Sequence, residues 1–219
     1  MTTVTQAGRA ARLREATSAQ HQDAETRSFV TRLMGGDLDL DAYVAYLAQL
    51  AYVYRALESR VPRAGDPSFV NDPALPRFAS IVADLEALGA DDWEVTHPPL
   101  PSTTDYTDRI TAVSDQLPRH IAHHYTRYLG DLSGGQSIAK RVADHYGATP
   151  DQLSFYRFDA IDRPGPFKVA YRKGIDNLDF GTDQEAAMID EAQRAFDHNA
   201  AIFESLADTL GAEAPLPSE

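Results

Sequence analysis

The sequence predicts an all-α fold, a single-domain bundle of helices packed on helices. Apolar residues recur every three or four positions over most of the chain. Strand-like alternation hardly occurs, and glycine, proline and Ser/Thr/Asp punctuation falls where the periodic runs begin and end. With 219 residues the chain is long enough to enclose one sizeable core.

After a flexible start at residues 1–8, Arg9 to Glu25 reads as the first helix. Ser28 to Met34 reads as a short second one, ended by Gly35 and Gly36. Asp39 is placed to cap a third helix, on which Tyr43, Leu47, Leu50, Tyr54 and Leu57 draw one apolar stripe. "RAGDPSFVNDP" is a loop. Pro73 and Pro76 precede a helix with Phe78, Ile81, Val82, Leu85 and Leu88 on its buried face. "THPPLPST" is a second loop, with Ser102 as the expected N-cap of the next helix. His120 to Tyr146 reads as one long helix stopped by Gly147, and Thr149-Pro150 restarts the chain. "DRPGP" at 162–166 breaks it again, and Phe167 to Asn177 is a short helix. Thr182 with Glu185 has the spacing of a capping box for a last helix running through Phe196 and Phe203 to about Leu210. The expected domain is therefore 9–210, with a loose tail at 211–219.

Composition removes whole classes of function. There is no cysteine, so thiolate metal sites, iron–sulfur clusters, disulfides and thiol nucleophiles are excluded; the absence suits a cytoplasmic location. A formal net charge of −13 disfavours nucleic acid or an anionic membrane as the main partner. No apolar run is long enough to span a membrane.

The stretch "YTRYLGDLSGGQSIAK" puts Gly130, Gly134 and Gly135 inside a helical pattern. Each helix-interior glycine costs roughly 1 kcal/mol relative to alanine, so the three need a reason. On a wheel of about 100° per residue, Gly130 and Gly134 lie about 40° apart, with Asp131 at the edge of the bare strip. Arg127 is one turn before Asp131, within reach of it. Three readings remain open: a small-residue contact with another helix, a turn or anion nest at "DLSGGQ", or a strip against which a large flat ligand lies.

If that ligand is a haem, its iron needs a protein ligand, and without cysteine histidine leads. His97 sits in a proline loop, and His145 and His198 lie among polar residues near helix surfaces. His120 and His124 share a helical face at a metal-binding spacing, and so offer a non-haem alternative. His21 has small Thr17 and Ala24 beside it, Glu25 one turn on and Arg14 two turns back. Pattern alone leaves each of these open to a purely structural role.

The segments "LREATSAQHQDAE", "YRALE", "HHYTRYLGDLSGGQ", "FKVAYR" and "AFDHNAAIFESL" occur in the order seen in the haem oxygenases, and the chain resembles a bacterial member of that family over residues 9 to 208. The resemblance implies a haem b sandwiched between a proximal N-terminal helix and a kinked, glycine-bearing distal helix. It implies His21 as the axial ligand and Glu25 as its neighbouring acid. It places the distal glycines at Gly130 and Gly134, with Gly135 completing the kink, and the water-organising acid at Asp131. Arg127, Tyr54 and Asn199 match the surrounding hydrogen-bond network. Tyr125, Lys168 and Arg172 match groups that hold the propionates. Phe196 and Phe203 match apolar pocket residues, and Phe29 lies near the proximal wall. Arg14 stands where lysine is common, which keeps the charge but changes its geometry.

The implied reaction is the O2- and electron-dependent opening of haem, at once cofactor and substrate, to biliverdin, carbon monoxide and ferrous iron. The α-meso carbon is the expected point of attack, and haem iron acquisition the expected purpose. No nucleotide-binding fingerprint is present, so electrons are expected from a ferredoxin or flavoprotein reductase. Arg9, Arg12, Lys140, Arg141 and Lys173 are the candidate docking cations. A non-catalytic haem carrier and a non-haem metal bundle are the alternatives.

Overall fold

The structure, a computed structural model, describes residues 7–211. The expected flexibility of 1–8 and 211–219 lies mostly outside them, and Gly8 is packed against the Asp176 carboxylate. Eleven α-helices and no strand occur among the described residues. They are α1 (Arg9–Ala16), α2 (Ser18–Glu25), α3 (Ser28–Gly35), α4 (Leu40–Glu58), α5 (Phe78–Ala87), α6 (Trp93–Thr96), α7 (Pro101–Val113), α8 (Leu117–His124), α9 (Gly130–Tyr146), α10 (Pro164–Asp176) and α11 (Thr182–Thr209).

α4 is the central post. Its N-cap is Asp39, whose side chain accepts from the Ala42 amide. The predicted stripe is buried throughout, but so is every residue from Ala42 to Tyr54, because α5 and α7 cover its other sides. α11, the longest helix at 28 residues, packs on α8, α7, α2 and α3 and so joins both halves of the molecule.

Several boundaries differ from expectation, each for a local reason. The first helix is interrupted at Thr17, whose hydroxyl donates to the Leu13 carbonyl at 2.9 Å and loosens the turn there. The helix expected from His120 to Tyr146 contains a π-helical turn at Tyr125–Leu129, which separates α8 from α9. α9 then stays helical through "DLSGGQ", which excludes the turn and nest readings. Ser102 is not an N-cap: α7 begins at Pro101, and the Ser102 hydroxyl meets that of Ser205 at 2.8 Å. "RPGP" starts α10 rather than breaking the chain, since proline suits a first turn. Thr149-Pro150 opens only a 3-10 turn. At α11 the cap is Gly181, whose amide donates to Gln184, while Glu185 is taken by Arg9 and Arg12. Gly36 (φ 85°) and Gly147 (φ 70°) end α3 and α9 in the left-handed conformation, as anticipated.

A second polar feature braces the bundle. The Glu191 carboxylate, fully buried on α11, accepts from Arg109, Arg119 and His123. Burial alone would raise its pKa, but those three hydrogen bonds outweigh burial and hold the carboxyl well below the usual range.

Candidate active site

Between α2–α3 on one side and the π turn with α9 on the other lies a cavity of about 700 Å³. α2 supplies its proximal wall. His21 lines the cavity, and its Nδ1 faces Glu25 Oε2 at 3.4 Å. The ring meets Phe196 edge-on at 5.6 Å, which limits its rotation. The His21 side chain keeps 52% of its surface exposed, and its Nε2 has no protein partner among the described residues.

The distal wall is built from backbone. Gly130 and Gly134 both line the cavity, and a Cβ added to either would meet nothing within 4 Å. Gly135 is different. It lies about 100° around the helix, outside the cavity lining, and an added Cβ would sit 3.0 Å from Tyr156 Cδ1. The three glycines thus differ in surroundings: two leave open space on the cavity side, and one gives an aromatic ring room to pack.

Asp131 faces the cavity beside Gly130. The Tyr54 hydroxyl donates to its Oδ2, and Arg127 Nη2 stands 3.8 Å from its Oδ1. Arg127 is itself fixed, donating to the Tyr54 oxygen at 3.3 Å and to Asn199 Oδ1 at 2.8 Å. Burial pushes the Asp131 carboxyl up from its ordinary value, while Arg127 and Tyr54 pull it down.

One end of the cavity is cationic. Arg14, Tyr125 and Arg172 line it together, and both arginines oppose the upward push of burial on the Tyr125 hydroxyl. Lys168 is one turn from Arg172 on α10 but outside the lining; its Nζ donates to the Leu132 carbonyl at 3.2 Å and meets Ser133 Oγ at 3.4 Å. The other end is apolar: Phe29 stacks on Phe203 at 6.3 Å, and Tyr46 tilts against both. Tyr54 is fully buried behind Asp131 rather than at the surface of the cavity.

Sequence reasoning missed Tyr46, Leu33, Met34 and Ile138, all of which line the cavity. Their apolar character marks only a buried face, and which face borders a cavity is decided by packing. The alternative histidine pair is spent elsewhere. His120 and His124 are buried with rings 6.0 Å apart, and His124 Nδ1 is bonded to the Tyr171 hydroxyl at 2.6 Å. No cluster of three or more His, Cys, Asp or Glu poised for a metal occurs among the described residues. His198, expected near a polar surface, is stacked on Tyr106 at 5.0 Å.

Comparison with known proteins bears on the family and the fold. Residues 8–205 match the profile of the family described as Heme oxygenase. The chain is 36% identical over 203 residues to the heme oxygenase of Guillardia theta, covering 90% of this chain and 85% of that one. It is 32% identical to heme oxygenase 1 of Gallus gallus, covering 89% and 68%. Among solved structures, heme oxygenase-1 of the cyanobacterium Synechocystis in complex with heme is similar at a TM-score of 0.86 and 32% identity, over 93% of this chain and 94% of that one. A cavity walled by a histidine helix and a glycine helix, on a bundle similar throughout to these proteins, leads to one conclusion: the chain belongs to the heme oxygenase family.

Proposed function

We propose that the cavity takes haem, and that the chain opens it with O2 and electrons from a partner protein to yield biliverdin, carbon monoxide and ferrous iron. The observation that carries this is the facing pair of walls: a half-exposed imidazole opposite two glycines that leave open space where side chains would stand. A flat macrocycle with two carboxylates suits that slot and its Arg14–Tyr125–Arg172 end. When bound, haem supplies both the iron that activates dioxygen and the ring that is cut.

The chain's own residues supply the rest. His21 would hold the haem iron through its imidazole, with Glu25 orienting its Nδ1–H. Arg14 and Arg172 would hold the propionates in charge-assisted bonds, joined by Lys168 if its bond to Leu132 is exchanged. Fixing that edge fixes which ring carbon lies under the distal wall, which we propose to be the α-meso carbon. Gly130 and Gly134 admit backbone contact, and Phe29, Phe196 and Phe203 exclude water from the apolar end. Asp131, a weaker acid than a solvated aspartate, is suited to hold a water and pass protons rather than to act as a strong acid at close range. Arg127, Tyr54 and Asn199 keep that carboxylate in place.

Electrons are proposed to come from an acidic ferredoxin or a flavoprotein reductase. Of the docking cations anticipated, Arg9 and Arg12 are paired with Glu185 and Lys140 with Asp144. Arg141 and Lys173 stay exposed without an ion pair among the described residues. Among the described residues no helix is long and apolar enough to cross a membrane. We place the catalytic unit at residues 9–210, in the cytoplasm, with release of haem iron for cellular use.

The test is to add haemin, then a reductase system, and to follow the spectrum. Haem binding followed by biliverdin absorbance is expected. His21→Ala is expected to lose the histidine signature of the complex and to recover it with imidazole. Stable haem binding without any biliverdin would instead make the chain a carrier.

A further inference from the structure

The central helix and the distal wall are joined by two reciprocal hydrogen bonds. Tyr54 of α4 donates to Asp131, and Tyr128 of the π turn donates back to Glu58 of α4 at 3.0 Å. Each side thus gives one phenol and one carboxylate. Tyr54 and Glu58 are one turn apart on α4, while Tyr128 and Asp131 are three residues apart across the junction between π turn and α9. The two rings pack 5.8 Å apart between the bonds.

The first bond belongs to the cavity, but the second does not. Glu58 lines neither wall. It is anchored from outside: Glu58 Oε1 accepts from the Arg77 amide at 2.6 Å, and both its oxygens take the Phe78 amide, at 3.3 and 3.2 Å. Those amides belong to the start of α5, so the position of Glu58 is set by a helix end that no ligand touches.

A π turn holds one residue more per turn than an α-helix would, and relaxation to α geometry is its nearest competing state. A one-residue slip would rotate everything after it by about 100°, carrying Gly130 and Asp131 off the cavity. Tyr128 is only 3% exposed, so its hydroxyl has little water to fall back on. A bond made at one register and lost at the next is a register lock. We infer that Glu58 is a positioning residue for Asp131: by accepting from Tyr128 it pins the π turn in the register that sets Gly130 and Asp131 over the cavity. The inference rests on the proposed function only for what the cavity holds.

The test begins with the haem-free protein. Tyr128→Phe removes one hydroxyl, keeps the ring packing and leaves the bonds from α5 to Glu58 intact. Amide hydrogen exchange over residues 129–134 should accelerate about tenfold, the scale of one lost buried hydrogen bond, while α11 is unchanged. Unchanged exchange at 129–134, or equal acceleration in every helix, would overturn the inference. In the haem-loaded protein, Tyr128→Phe and Glu58→Leu should convert a smaller fraction of the bound haem to biliverdin. Glu58→Gln, whose amide oxygen still accepts from Tyr128, should restore the yield. Wild-type yields in both disruptive variants would also overturn it. If the wild-type protein made no biliverdin, the proposed function would fall, and the exchange experiment would still decide the register lock.

Discussion

Replacing Gly134 and Gly135 in turn by alanine separates the two reasons for glycine in the distal helix. Both sit inside α9, where alanine is favoured over glycine by up to about 1 kcal/mol. At Gly134 nothing lies within 4 Å of the added Cβ, so the gain is unopposed. A gain of about 0.7 kcal/mol divided by a urea slope of about 2 kcal/mol per molar raises the unfolding midpoint by about 0.4 M. At Gly135 the new Cβ would be 3.0 Å from Tyr156, a ring only 1% exposed that cannot swing aside. Overpacking of about 1–3 kcal/mol offsets or exceeds the helical gain, so Gly135→Ala should be neutral to destabilising. Haem titration should invert the order. The methyl of Gly134→Ala enters the cavity and should weaken haem binding about tenfold, the lower end of the same overpacking range; that of Gly135→Ala points elsewhere and should leave affinity nearly unchanged. Urea unfolding without haem and spectral titration with it read the two effects separately. If Gly134→Ala destabilised the free protein, or if both variants bound haem alike, the open strip would not be the ligand's contact surface.

Other perturbations test the remaining parts. Asp131→Ala should still bind haem but lose most biliverdin formation and gain peroxidase-like oxidation of an added phenol; normal biliverdin yield would leave Asp131 a structural partner of Arg127 and Tyr54. Lys168→Ala with Arg172→Ala should keep turnover but give mixed biliverdin isomers on chromatography, whereas a single unchanged isomer would give orientation to the Phe196–Phe203 wall. Burial holds His120 and His124 neutral down to about pH 3, against about 6.5 for a free imidazole. The unfolded chain therefore gains protons first, and stability should fall as pH drops from about 6.5 towards 3, by about 1.4 kcal/mol per pH unit for each histidine. Urea midpoints across that window should show the slope, and His124→Phe should reduce it.

What was legible in the sequence was mostly what repeats or punctuates. The period of α4, its Asp39 cap, and the glycine stops of α3 and α9 carry their causes within a few residues. The π turn does not: nothing in "YTRYL" departs from a helical pattern, because the reciprocal bonds that favour it come from Tyr54 and Glu58, some seventy positions earlier. The same holds for Glu185, whose spacing fits a capping box but whose carboxylate meets two arginines of α1 that only folding brings near. Residue types with chemistry, such as His21, Asp131 and Gly134, stood out against their surroundings. Apolar lining such as Tyr46 and Ile138 did not, since it obeys the pattern of any core. Gly135 was grouped with its neighbour because adjacency in sequence conceals the turn of about 100° between them.

The two walls of the cavity are also unequal in strength, and the difference has a consequence for binding. The distal wall belongs to α9, 17 residues long and tied to α4 through the buried Tyr54 and Glu58 pairs. The proximal wall belongs to α2 and α3, eight residues each, well under the about 12–15 at which an isolated helix becomes marginal in water. α2 buries only Ala24 among its eight residues, and its hold on the bundle is its packing against α11. A ligand seated on His21 would therefore add contacts to a short helix that buries little of its own surface. Binding to the folded state alone stabilises it by mass action, and the local share of that stabilisation falls on the weaker wall. The helix that carries the histidine buries one side chain of its own, whereas the acid on the distal helix is already bonded to α4. That division suits a site that must admit a large rigid molecule and release a differently shaped product, while keeping Asp131 and its partners in one arrangement throughout.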